Sequence, residues 1–461
     1  MIKKESYINL TAFGFLFLFA VTIGVLGYTV ARTDFILYIS LYTAAFSTYG
    51  LLIFNAFQHK NLKLWQLLAA ALFVRLALLG MQPNLSDDFF RFAWDGRLLA
   101  AGINPFLYSP EELLHSQVYK DLQLDKLFYG DYINDWSYYN GLNSKPYHSV
   151  YPTTLQLVFG FSALLFPHHL LGQLIVMRLY IILAELGTFY FTLKILKIRK
   201  LDKRFLLIYA FNPLIILEWT GNIHFEAFAV FFLSGAVYYI LKNNITISAL
   251  FLSGAVVSKL IPLMFLPLFF AFTDWKKGSL HSFLTLFFSA LLLLPFFADG
   301  AAIANLGKSL SLYFASFEFN ASFYYLFQYL WSFFAQYPDK NLTVKLLQVS
   351  VILLILWMGF RKKQIRPADF QTYLLFALLA YFLATRTVHP WYLGTLVWLC
   401  IFTPFRLPVF WSFLVGLTYI TYWGGGFEER IWIVVLEYLI LLGIAVNELR
   451  SAKQSPAATI D

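Results

Sequence analysis

The chain has one cysteine, Cys400, in 461 residues. That excludes an intramolecular disulfide and a cysteine-based metal site, and Cys400, inside an apolar run, reads as a small core hydrophobe. Charge is equally scarce. Only 13% of residues are charged and 60% are hydrophobic, whereas a soluble domain carries about 25% charged residues. A soluble multidomain chain is therefore excluded, and membrane spans of about 20 residues use up most of the length, leaving one membrane domain. No internal repeat is visible. The first apolar run, Ile8 to about Ala31, lacks a small-x-small cleavage site and is too long for a signal-peptide core, so it reads as a retained span.

The net charge of +9 does not point to nucleic acid. Most Lys and Arg lie in short segments beside apolar runs, the positive-inside pattern. With Lys3, Lys4, Lys60 and Lys63 inside, the segment that follows Met81 falls outside. Gln82 to Val150 carries nine acidic residues against five basic ones, as an external loop should. Tyr151 to Pro167 is apolar, but counting it as a span would put the six bases from Lys194 to Arg204 outside, so it is laid on the outer surface. The region from Ala298 to Lys340, with its aromatic run Phe323 to Phe334, is expected to form a second external cap. These rules predict an all-α polytopic protein of about 14 spans over residues 1–450. Residues 82–169 form the large outer loop with interfacial helices, 298–340 the second cap, and 451–461 a disordered cytoplasmic tail. Both termini are expected inside. A broken helix is expected near Lys259 and Pro262.

The most chemically loaded stretch is Ser86 to Phe106, SDDFFRFAWDGRLLAAGINPF. Ser86 can cap a helix, the two acids after it suit the positive end of the helix dipole, and Gly102 and Pro105 end it. At 3.6 residues per turn Asp87, Arg91 and Asp95 share one face, and Asp88, Phe92, Asp95 and Leu99 a half-apolar neighbouring stripe. Further polar groups gather at the outer ends of spans: Asn222, His224, Glu226, Lys259, Arg386, His389, Glu428 and Glu429. An ionisable group in a span is a functional candidate by default. Arg75 and Arg178 are read as possible partners of Glu185 in a helix–helix tie.

The string Asp87-Asp88, Phe90-Arg91, Trp94-Asp95-Gly96-Arg97 and Gly102-Ile103-Asn104-Pro105-Phe106 resembles the first large loop of GT-C-fold glycosyltransferases of the bacterial mannosyltransferase-like type. Asn212-Pro213-Leu214 with Gly221-Asn222-Ile223-His224-Phe225-Glu226 is similar to that family's NPL and GNxHxD/E elements, with Glu226 where many relatives carry Asp. Ser258-Lys259-Leu260-Ile261-Pro262 and His389-Pro390-Trp391-Tyr392-Leu393 are similar to its KLxP and HPWYL elements. The resemblance runs from about Pro83 onward.

It implies a GT-C-like bundle that moves a hexose, mannose by resemblance, from a polyprenyl-phosphate donor to a lipid or glycan acceptor at the outer face of the plasma membrane. The donor, the acceptor and membrane lipids are then its partners, with no nucleic acid, no cofactor and no metal. In a single inverting displacement Asp88 or Asp87 would act as general base, with Asp88 favoured because it faces the apolar stripe. Lys259, Arg386, Arg91, Arg97 and His389 are the candidates for the donor phosphate. Asp95, Asn222, His224, Glu226, Trp391 and Tyr392 are those for sugar and acceptor, and Tyr138 and Tyr139 could stack on sugar rings. The competing reading is a transporter or flippase of lipid-linked sugars, which should instead place ionisable groups near the midplane between repeated halves.

Overall fold

A computed structural model describes residues 2–59, 62–122, 124, 137–335, 339–361 and 364–454. The regular structure of the described residues is helical, with no strand among them; one isolated bridge joins Phe319 to Thr387. Among the described residues six helices are long and apolar enough to cross a membrane: Ala12–Thr29, Phe35–Gln58, Leu170–Ile198, Trp275–Phe297, Lys340–Phe360 and Ile431–Ala452. This is a multi-pass membrane protein. Pro213–Gly221 and Glu226–Leu241, bent by 114° at their junction, make a seventh span when counted as one.

The expected count of about 14 spans is not reached by length. Apolar runs such as Leu64–Ala77, Ile245–Ser258, Ile261–Phe272, Phe370–Ala384 and Leu407–Tyr422 are shorter helices. A 14-residue helix such as Ile245–Ser258 reaches only about 21 Å, short of a hydrocarbon core of about 30 Å. Several of these pieces are breaks in longer paths. Ile245–Ser258 stops because Lys259 is extended (φ −156°, ψ 129°), and Pro262 sits at the start of a 3-10 turn over Ile261–Phe265 that leads into Leu266–Phe272. This is the expected break at Lys259 and Pro262.

The large loop that follows Met81 is built on the helix Asp88–Ala100. The Ser86 hydroxyl accepts the Asp88 N–H at 3.3 Å, and the chain leaves the helix through Gly102 at φ +78°, a conformation that suits glycine. Phe92 stacks on Phe159 (centroids 4.8 Å apart) and meets Phe225 edge-on. The helix Thr153–Leu165 lies so close that a Cβ on Gly96 would fall 2.4 Å from the Phe159 carbonyl oxygen. Thr153–Leu165 has 13 residues, too few to cross at about 1.5 Å each. Trp94 and Leu98 pack into a separate apolar cluster with Ile103, Leu113, Leu124 and Leu142. The Asn104 amide donates to the Phe296 carbonyl at 2.7 Å and so ties the loop to the helix Trp275–Phe297.

The region expected to form the second cap, 298–340, holds the helix Gly300–Ser316, an extended stretch from Phe317 to Phe319 and the helix Phe323–Trp331. Phe319 N–H donates to the Arg386 carbonyl (3.2 Å) and Val388 N–H to the Phe319 carbonyl (2.8 Å). Asn320, at φ +51°, donates from its backbone to Glu429 and from its amide to Glu437. In the interior Arg75 grips Glu185 with two hydrogen bonds of 2.8 and 2.7 Å, the tie expected from the sequence. Arg178 instead caps the carbonyls of Leu79, Thr220 and Gly221. The last helix, Ile431–Gln454, continues four residues beyond the expected start of the tail, whose remainder lies outside the described residues, as do Asp125, Asp131 and Asp135 of the loop.

Candidate active site

The start of the loop helix opens onto a cavity of about 720 Å³. Its walls come from elements far apart in sequence, and they bring together Asp87, Asp88, Arg91, His224, Glu226, Lys259, His389, Trp391 and Tyr392. Most of the residues singled out as site candidates therefore face one space.

The two aspartates differ in environment. Asp87 forms an ion pair with Arg32, not with Arg91 on its own helix face. Asp88 makes no ion pair among the described residues; its carboxylate accepts from the Asn143 amide at 3.3 Å. Burial raises the Asp88 carboxyl above the ordinary aspartate value, against the lowering effects of the Asn143 amide and the Lys259 charge. A raised carboxyl is the better proton acceptor once ionised.

Lys259, extended at the helix break, pairs with Glu226 and lies 4.7 Å from the centre of the Tyr392 ring. Trp391 is sandwiched between two imidazoles: His224 at 3.8 Å and 12°, His389 at 4.3 Å and 6°. His389 in turn stacks on Phe319 at 5.2 Å, so the second cap closes one end of the aromatic column. His148 of the large loop also lines the cavity and contacts Glu112 at 2.9 Å. Burial holds its imidazole below the usual histidine value, opposed by the Glu112 carboxylate.

Several candidates do not line the cavity, Tyr139 among them, which packs beside Trp94. Asp95 is fully buried and accepts from Arg91 (2.7 Å), Ser149 and Gln156 (3.0 Å). Through Asp95 and the carbonyls of Ser144 and Tyr147, the Arg91 guanidinium ties the helix to the rest of the loop. Arg97, like Asp95, is buried within the loop. Asn222 is spent on backbone, accepting from Leu85 N–H at 3.1 Å and donating to the Leu217 carbonyl at 2.9 Å. Arg386 pairs with Glu318 and lies over the Tyr324 ring; Glu318 also takes Lys340 at 2.8 Å. Glu429 is likewise occupied by the cap, through Asn320 and Tyr325.

Among the residues at or behind the cavity that escape the sequence reading are Arg32 and Glu218. Arg32 lines the cavity and stacks on Tyr422, 5.0 Å from its ring centre; a lone base at the span end that the positive-inside rule expects to lie outside is its signal. Glu218, with 1% exposure, lies behind His224; an acid inside the apolar run Leu214 to Gly221 is enough to mark it.

The cavity offers carboxylates, a lysine and aromatic rings, side chains that can bind hydroxyls and apolar sugar faces. The model of the MptA_B family, described as alpha-(1->6)-mannopyranosyltransferase, N-terminal domain, matches residues 25–273. The chain belongs to this mannosyltransferase family. The match takes in Arg32, Asp87, Asp88, His224, Glu226 and Lys259, and ends before His389 and Trp391. No curated protein matches the chain.

Proposed function

We propose that the protein is a GT-C-type inverting mannosyltransferase that takes mannose from a polyprenyl-phosphate donor and places it on a hydroxyl of a lipid or glycan at the outer face of the plasma membrane. The observation that carries the reading is the meeting of Asp88 and Lys259 in one cavity: a carboxyl raised by burial, with no ion pair among the described residues, and a cation held at a helix break. An acceptor hydroxyl gives its proton to Asp88 as its oxygen bonds to the anomeric carbon. The bond from that carbon to the phosphate oxygen breaks in the same displacement, and the electron pair leaves on the lipid phosphate. Lys259 offsets that charge, supported by Arg32 and Arg91 on the same walls. Glu226 keeps Lys259 oriented. Asp87, held by Arg32, orients the acceptor. His224, Trp391, His389 and Tyr392 contact the sugar. Arg386, Arg97, Asp95 and Asn222 act on the site through the loop and the cap.

Purified protein in detergent, given labelled polyprenyl-phosphate mannose and extracted membrane lipids, should form a labelled mannosylated product without a sealed membrane. Transfer that requires a sealed compartment, or donor that only changes leaflet, would support a transporter instead.

A further inference from the structure

The backbone around Glu218 is irregular at three successive places. Ile216–Gly221 is a π-helical turn, the path bends by 114° after it, and Ile223 adopts φ +61°, a costly conformation for a β-branched residue. Irregularities of this kind persist where the surroundings impose them, and they concentrate at functional sites. Here they deliver two side chains to one another.

Glu218 Oε1 accepts the Tyr419 hydroxyl at 2.6 Å. Its other oxygen, Oε2, is buried with no hydrogen-bond partner among the described residues, and so is Nε2 of His224. These two unsatisfied atoms are 3.6 Å apart, a few tenths of an ångström beyond a hydrogen bond. Burial without a partner disfavours both atoms, so a small closure of that gap is favourable. The far face of the same imidazole is fixed by its stack on Trp391, and both His224 and Tyr419 line the cavity while Glu218 does not.

We infer that Glu218 is a positioning residue that sets the tautomer of His224, with Tyr419 setting Glu218, and that His224 reads a hydroxyl of the bound sugar. This rests on the mannosyl-transfer reading above. The logic holds in either protonation state of the carboxyl. A carboxylate takes the Nε2 proton and leaves Nδ1 as an acceptor; a carboxylic acid donates to Nε2 and leaves Nδ1–H as a donor. In both cases the imidazole offers the cavity one defined hydrogen-bonding sense rather than a mixture.

The test joins turnover with the ring-nitrogen NMR signals of His224 in protein labelled with ¹⁵N-histidine. Wild type should show one tautomer. Glu218→Gln, which keeps the shape and replaces the carboxyl, should shift those signals and lower turnover from polyprenyl-phosphate mannose about tenfold to a hundredfold, with a smaller loss in Tyr419→Phe. Adding Glu218→Gln to His224→Ala should cost little more than His224→Ala alone, because the first acts through the second. If the two losses multiply, or the ring signals are the same in the wild type, in Glu218→Gln and in Tyr419→Phe, the inference is overturned. Should the wild type transfer no mannose, the ring signals still decide the Glu218–His224 relation, so failure of the activity reading is seen separately.

Discussion

Arg32 binds the carboxylate of Asp87 across 55 positions of sequence, while Asp88, the next residue, has no ion pair among the described residues. The sequence favours Asp88 only through the apolar stripe it faces; the fold separates the two acids by their partners. The Asp87 carboxylate is already engaged by a guanidinium, while that of Asp88 meets only the Asn143 amide among the described residues.

Asp88→Asn is therefore expected to lower turnover by about 100-fold to 10,000-fold, the usual contribution of a general base, with little change in the donor KM. Asp87→Asn should cost less, since its neighbour still takes the proton. Steady-state kinetics on both variants decides this, and equal loss in both would remove the distinction.

The pH profile follows from the same carboxyl. A base must be ionised to act, so activity rises with pH through the Asp88 pKa, and burial places that acid limb above the ordinary aspartate value of 3.8. Asn143 lowers the pKa through its amide, so Asn143→Ala should move the limb to higher pH. The folded-state pKa is raised, so the contribution of Asp88 to stability is present at low pH and lost as pH rises through it. A limb that stays put, or moves down, in Asn143→Ala would show that another group sets it.

What was legible in the sequence was local. The loop helix, its end at Gly102, the tie between Arg75 and Glu185, and the break at Lys259 with Pro262 are written in residues a few positions apart or in charges that apolar surroundings oblige to pair. The span count was not, because apolar composition marks a run as buried but does not say whether it crosses or bends back, as the chain does between Gly221 and Glu226. Arg386 shows the same limit at the site. Its sequence context promises a phosphate ligand, but Glu318, 68 positions earlier, takes it. Asn222 is spent on the Leu85 N–H, a backbone need that no motif displays.

The proposed outer position of the loop can be checked chemically. His168 is exposed in the turn after Thr153–Leu165, and the native thiol, Cys400, is fully buried. His168→Cys in intact cells should react with an impermeant thiol reagent from outside. Reaction only after the inner face is opened would reverse the orientation and with it the side on which the acceptor is met.

Lys259 and Arg386, equal as phosphate candidates in the sequence, should now behave differently. Lys259 lines the cavity, paired with Glu226, so Lys259→Gln should raise the donor KM, and it should lower the melting temperature as well because the buried Glu226 loses that partner. Arg386 is only 6% exposed and anchors the second cap through Glu318. Burial alone would raise the Glu318 carboxyl, but Lys340 and Arg386 together hold it below the ordinary glutamate value. Removing the arginine leaves that carboxylate short of a partner at a cost of about 1–3 kcal/mol, so Arg386→Gln should lower the melting temperature. Its effect on activity should come through the cap, which seats Phe319 against His389. Glu318→Gln should then reproduce the Arg386→Gln phenotype, because it breaks the same pair from the other side. A donor KM raised by Arg386→Gln but not by Glu318→Gln would mean that Arg386 meets the phosphate directly.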